Sequence, residues 1–215
     1  MDQSLLLQLP SMLDSLAANG WASLPSAISQ VACHGLAADL ERRYSAGSFH
    51  AARIGHGTDE TLNRTIRSDT IDWIGTNDTE DSIQTWLKEM RDLTHILNES
   101  FFLSLNSFDC HFALYEPGSF YHKHLDRFRD DSGRKLSVIL FLNENWTDAE
   151  QGELLIYDQL DSASITASIK PEMGTLVLFQ SQTIYHEVRI TKRRRLSLSG
   201  WLKSAQGMNN ESFAG

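Results

Sequence analysis

The apolar positions of this chain change period near its middle. Over residues 1–44 they recur at helical spacing, as in Leu6, Leu9, Leu13 and Leu16, with breaks at Gly20 and Pro25. Over 80–100, Ile83, Trp86, Leu87, Met90, Leu93 and Leu97 form an i, i+3, i+4 stripe, and residues 77–81 supply capping chemistry ahead of it. Supporting helices are therefore predicted over 1–44 and 80–100. From about 107 to 203 the pattern becomes short apolar or alternating runs, at 110–115, 136–143, 153–157, 175–180, 186–190 and 196–202, punctuated by Pro117-Gly118, Gly133, Gly152, Pro171 and Gly174. Many short strands in one half predict a sandwich or barrel with helices packed outside it, an α+β fold with a mainly β core. The polar stretch 47–69, with three glycines, reads as a mobile loop or a hairpin.

Composition narrows the class without changing that picture. At 215 residues, 41% apolar and 22% charged, the chain fits one globular domain over 1–215, and disordered, collagen-like and coiled-coil classes fit poorly. The 28 acids against 19 bases leave a net charge of −9, which works against binding a phosphate backbone, and the bases cluster only at 192–195. No nucleic-acid partner is predicted. Leu5-Leu6-Leu7 is far too short to span a bilayer, and Asp2 stands where a signal peptide needs positive charge, so neither membrane nor export is expected. Cys33 and Cys110 are too few for a disulfide framework, which fits a reducing cytoplasm.

Candidate chemistry sits in Tyr121-His122-Lys123-His124-Leu125-Asp126. In an extended chain residues two apart share a face, which sets His124 beside Asp126; His122 has the same parity. A further candidate is His186, in Ile184-Tyr185-His186-Glu187-Val188 at the start of another predicted strand. Two imidazoles and one carboxylate meeting across a barrel form the facial set of non-haem Fe(II) oxygenases, which leaves coordination positions open for oxygen chemistry. In 195–202 the alternation puts Arg195, Ser197, Ser199 and Trp201 on one face and leucines on the other. An arginine pointing into a barrel needs an anion, and its planar fork suits a carboxylate such as the distal one of 2-oxoglutarate. Parity does not separate Arg193 from Arg195. His111, alternating with Ala113 and Tyr115, either faces the pocket or holds a hydrogen-bonded place in the core.

With these residues in place the chain resembles the prolyl hydroxylase branch of the Fe(II)- and 2-oxoglutarate-dependent dioxygenases, most of all the hypoxia-factor-type prolyl hydroxylases and their bacterial relatives. The likeness runs in motif order through Ile66-Arg67-Ser68-Asp69, Trp73-Ile74, Tyr115-Glu116-Pro117-Gly118, Tyr121, His124-Leu125-Asp126, Arg134, Phe141-Leu142-Asn143, Trp146, Gly152-Glu153-Leu154, His186-Glu187-Val188, Arg195 and Trp201. The resemblance implies a double-stranded β-helix, or jelly roll, with its core over 107–203. It implies iron ligands at His124, Asp126 and His186, and places Arg195, rather than Arg193, on the 2-oxoglutarate C5 carboxylate. Tyr115 would line the cosubstrate pocket. Tyr121, Arg134 and Trp201 would lie near the substrate mouth, and 47–75 would be the flexible substrate loop, with Arg67 and Asp69 near its base. One departure stands out. Close relatives carry a tyrosine whose hydroxyl helps hold the C5 carboxylate where this chain has Phe141, leaving Ser199 or Tyr115 to compensate.

The implied activity is hydroxylation of a prolyl residue, at C4, in a protein or peptide, with release of succinate and CO2. Fe(II), 2-oxoglutarate and O2 are required, and ascorbate serves as reductant. In bacterial relatives the substrate belongs to the translation machinery. The competing readings are an oxygenase acting on another side chain, a free amino acid or a small molecule, and a jelly-roll binding module without turnover. A monomer is the simplest expectation for the oligomeric state, which the sequence does not specify.

Overall fold

The computed structural model describes residues 1–53, 63–75, 77–126 and 133–204. Three helices, α1 (Gln3–Asn19), α2 (Gln30–Ser45) and α3 (Asp81–Phe101), accompany eleven strands among the described residues. The strands are β1 (Trp21–Leu24), β2 (His50–Ala51), β3 (Thr70–Ile74), β4 (Leu105–Tyr115), β5 (Tyr121–His124), β6 (Arg134–Phe141), β7 (Leu154–Tyr157), β8 (Ile165–Ile169), β9 (Leu176–Gln180), β10 (His186–Val188) and β11 (Arg195–Ser204). They form a seven-stranded sheet in the order β1-β9-β6-β11-β4-β3-β2 and a four-stranded sheet in the order β5-β10-β7-β8. Every strand pair is antiparallel. This is the expected jelly roll with helices outside it.

Alternation along the strands builds two cores, one on each face of the larger sheet. Even-numbered residues of β4, β6, β9 and β11, such as Phe112, Leu140, Leu178 and Leu198, join the helices: Leu5, Met12 and Leu16 of α1, Leu36 and Leu40 of α2, and Trp86, Met90 and Leu93 of α3. Odd-numbered residues, including Ala113, Tyr115, Phe141, Val177 and Phe179, point to the smaller sheet and meet Leu154, Ile156 and Val188. His111, Ser137, Arg195, Ser197 and Trp201 have the same odd parity and are all buried. The space between the sheets is thus apolar except for a few polar groups carried by the same strands.

The structure corrects several expectations. The helical region 1–44 is interrupted by β1, because Gly20 ends α1 in the left-handed conformation (φ 74°) and the next four residues pair with the edge of β9. The capping chemistry at 77–81 is diverted. Glu80 is the N-cap of α3 but makes no side-chain cap bond, its carboxylate accepting instead from Arg42 and Arg43, and Asp78 accepts from the Gly75 amide. The span 47–75 is a loop only in part: β2 and β3 pair as the outer edge of the larger sheet, and the rest of that expectation falls largely on 54–62, outside the described residues. Strand β8 escaped prediction because four of its five residues are not buried.

Gly200 lies mid-strand in β11, between β4 and β6. A Cβ there would come within 2.5 Å of the Asp109 carbonyl oxygen and 2.7 Å of Cys110 Cβ. Gly200→Ala is therefore expected to destabilise the protein by about 1–3 kcal/mol. A thermal melt several degrees below the parent's would register this, whereas an unshifted one would mean that the two strands can separate at little cost.

Candidate active site

Antiparallel pairing of β5 with β10 sets His124 opposite His186 in register, with ring centroids 4.1 Å apart. The chain bends just past β5 and brings Asp126 onto both imidazoles: His124 Nε2 is 3.5 Å from Oδ1, and His186 Nε2 is 3.7 Å from Oδ2. One ligand atom from each residue lies within 4.8 Å of the other two. Each imidazole is oriented from behind by a backbone carbonyl two residues upstream. Nδ1 of His124 donates to the His122 carbonyl (2.7 Å) and Nδ1 of His186 to the Ile184 carbonyl (3.2 Å). With the proton on Nδ1, the Nε2 lone pairs face the centre, as metal-binding histidines require. His122 contributes its carbonyl, while its own ring packs at a tilt against Phe120.

The carboxylate is held as firmly. Oδ2 of Asp126 accepts from the Ser137 hydroxyl (2.7 Å) and from Trp201 Nε1 (3.0 Å), and Ser137 is in turn bonded to Ser181 (2.9 Å). Burial acts to raise the Asp126 pKa, but the adjacent imidazoles and hydrogen bonds prevail and hold it well below the usual carboxylate range. Burial, followed by His124, pushes His186 down to about 4, so its imidazole is neutral at neutral pH. An ionised carboxylate and an unprotonated imidazole are the forms a divalent metal takes up.

Arg195, at the head of β11, is 1% exposed. Its Nε donates to the Gly152 carbonyl (2.9 Å), its guanidinium lies 5.0 Å from the Tyr115 ring centroid and 4.9 Å from that of Phe141, and its Nη2 is buried without a hydrogen-bond partner. Gly152 is fixed as glycine by φ 76° and by the crowding of Thr191 at 2.9 Å from where a Cβ would stand. A buried guanidinium with an idle N–H is costly unless an anion meets it, so this pocket fits one carboxylate of a dicarboxylic acid. Arg193, by contrast, is 40% exposed and paired with Glu150 (2.8 Å), and Arg194 is paired with Glu41. Burial, which parity does not report, separates the two arginines.

The other expected site residues are distributed as follows. Ser199 stands between His111 and Ile139 in register, four residues along β11 from Arg195, with the fully buried Ser197 between them. Trp201 lies deeper than a mouth residue would: it is 9% exposed, bonded to Asp126, and covered by the Arg134 guanidinium at 3.5 Å. Asp69 is buried, with both oxygens on Arg67 (2.8 and 2.6 Å), so it holds Arg67 rather than facing a substrate. Tyr121 stacks on His124, with centroids 3.5 Å apart and planes at 14°.

Two polar residues carry no assignment from the sequence, and a third, His111, stands open there between the pocket and the core. Ser137 and Ser181 carry the Asp126 hydrogen-bond network; the signal for Ser137 was its odd parity on β6 with Ile139 and Phe141. His111 faces the inter-sheet side, packed between Trp73 (4.9 Å) and Trp201 (5.4 Å). Burial, with Arg67 and Arg134 nearby, pushes its pKa down to about 3, so it stays neutral.

Comparisons with known proteins agree with this geometry. The model of the 2OG-Fe(II) oxygenase superfamily matches residues 110–203. A PKHD-type hydroxylase from Psychrobacter sp. (strain PRwf-1) is 34% identical over 100 residues, a stretch that is 43% of this chain and only 37% of that relative's length. A solved prolyl-4-hydroxylase from Pseudomonas putida is 36% identical, with a TM-score of 0.82, covering 92% of this chain and 100% of that one. A prolyl hydroxylase from Trichoplax adhaerens, solved with a hypoxia inducible factor oxygen degradation domain peptide, shares the fold at 23% identity, with a TM-score of 0.80 over 94% of this chain and 91% of its own. Given a relative more than one-third identical along its entire length, and the polar groups that the jelly roll gathers between its sheets, the chain belongs to the prolyl hydroxylase family of the 2-oxoglutarate- and Fe(II)-dependent oxygenases.

Proposed function

We propose that this protein hydroxylates a prolyl residue, at C4, in a protein or peptide, releasing succinate and CO2. The observation that carries the reading is the buried guanidinium of Arg195, with an unpartnered Nη2, on the same inter-sheet face whose Trp201 bonds the His124–Asp126–His186 cluster. When bound, iron, 2-oxoglutarate and O2 supply the oxidising power that cleaves the target C–H bond.

The protein's own part is to hold, orient and exclude water. His124, Asp126 and His186 would hold the metal. Ser137 and Trp201 fix the carboxylate through Oδ2. Arg195 takes the distal carboxylate of 2-oxoglutarate, walled by Tyr115 and Phe141, with Ser199 further along the same face. Tyr121 and Arg134 line the approach to the centre, Trp201 serves Asp126 from deeper in, and Asp69 fixes Arg67. Ascorbate would serve as the reductant. The two free, buried cysteines suit a reducing, cytoplasmic setting, and a monomer acting on a protein of the translation machinery completes the proposal.

Mass spectrometry of candidate proteins after incubation with Fe(II), 2-oxoglutarate and O2 tests the proposal. A gain of one oxygen atom on proline, dependent on all three additions, is expected; oxidation confined to another side chain or to a small molecule would overturn it. Phe141→Tyr supplies a further check, because the centroid of that ring lies 4.9 Å from the Arg195 guanidinium. One added neutral hydrogen bond should lower the 2-oxoglutarate concentration at half-maximal rate by roughly 2–10-fold. A requirement left unchanged would mean that the pocket is already satisfied without the hydroxyl.

A further inference from the structure

We infer that Arg67 and Tyr121 are positioning residues for the His124 imidazole, joining the segment 63–69 to the metal centre. The inference rests on the reading of His124, Asp126 and His186 as the metal-holding set.

Two routes lead from this segment to His124. Along the backbone, 66–68 runs beside 120–122: the His122 amide donates to the Ile66 carbonyl (2.8 Å), the Ser68 amide to the Phe120 carbonyl (3.1 Å), and Arg67 and Tyr121 form an isolated antiparallel bridge. The His122 carbonyl then accepts from His124 Nδ1. Through side chains, Asp69 takes Nε and Nη2 of Arg67 in a two-pronged pair, the guanidinium lies 4.2 Å from the Tyr121 ring centroid, and that ring is stacked nearly parallel on His124. The imidazole is thus fixed at its edge by one route and across its face by the other.

The geometry argues against direct substrate contact by Arg67. Its side chain is 11% exposed, its Nε and Nη2 are spent on Asp69, and one face of the guanidinium is spent on Tyr121. Groups that orient a metal ligand without touching the metal typically change affinity 10–100-fold when removed. Here one orienting group, Arg67, belongs to the segment 63–69, and the other, Tyr121, to the same strand as His124.

The test uses Mn(II) as the probe, titrated into metal-free protein without 2-oxoglutarate or peptide and followed by the electron paramagnetic resonance of the free ion. Parent protein should bind one equivalent. Arg67→Met and Tyr121→Leu should bind about tenfold more weakly, whereas Tyr121→Phe, which keeps the stacked ring, should stay within about twofold of the parent. Parent-like Mn(II) affinity in Arg67→Met and Tyr121→Leu, with only the peptide KM raised, would mean direct substrate contact and overturn the inference. If Tyr121→Leu does not melt cooperatively, Arg67→Lys carries the test by the same criterion, since it retains the charge and loses the planar fork. Asp126→Ala separates the two levels: Mn(II) held unchanged by that variant would defeat the metal reading itself.

Discussion

Asp126→Ala is expected to reduce iron-dependent succinate formation to background while leaving the protein folded. The substitution removes the carboxylate that both imidazoles face and leaves two neutral nitrogen ligands on adjacent strands, too few to retain Fe(II). The fold should survive because burial of an ionised carboxylate is unfavourable in itself. The groups left behind, the Ser137 hydroxyl and Trp201 Nε1, are neutral donors, and Ser137 keeps Ser181 as a partner. His124→Ala should behave similarly. The assay must begin from stripped protein reconstituted with Fe(II), because nickel, copper and zinc bind such sites more tightly and would mask the parent's activity. Undiminished turnover in both variants would defeat the metal assignment.

Arg195→Lys should raise the 2-oxoglutarate requirement about 10–100-fold with Mn(II) binding nearly unchanged. Lysine keeps the positive charge but has neither the fork nor the geometry to serve the Gly152 carbonyl and a carboxylate together. Losing one or two charge-assisted hydrogen bonds costs about 1.5–3 kcal/mol, which sets the expected range. The metal centre stays intact because none of its hydrogen bonds come from Arg195. A titration of initial rate against 2-oxoglutarate decides the matter, and an unaltered half-saturation concentration would remove Arg195 from this role.

The parts of the architecture that were legible are those in which one residue pattern has one physical outcome. The stripe from Ile83 to Leu97 can bury itself only as a helix, and it does so as α3. The alternation in 195–202 separates leucines packed toward the helices from Arg195, Ser197 and Trp201 packed toward the smaller sheet. Other elements were hidden because their cause lies elsewhere in the chain. β1 exists because β9 offers an edge, and β8 because β7 does, although β8 buries little of its own. The site divides in the same way. His124 and Asp126 are close in sequence, so their pairing could be seen, although a bend just past β5 rather than strand parity joins them, whereas Ser137 and Trp201 reach Asp126 only through sheet closure.

By itself, then, the sequence determined which residue types the chain can bring to one face: two imidazoles, a carboxylate and an arginine, on strands whose period allowed them to point inward. The tertiary structure decided which of these are dry and which are wet. It buried Arg195 with an idle N–H and left Arg193 at the surface with Glu150, and it surrounded Asp126 with donors from β6 and β11. The physical reason is that parity is a property of a strand, whereas desolvation and hydrogen-bond partnership are properties of the space between sheets, which exists only once distant strands have closed around it.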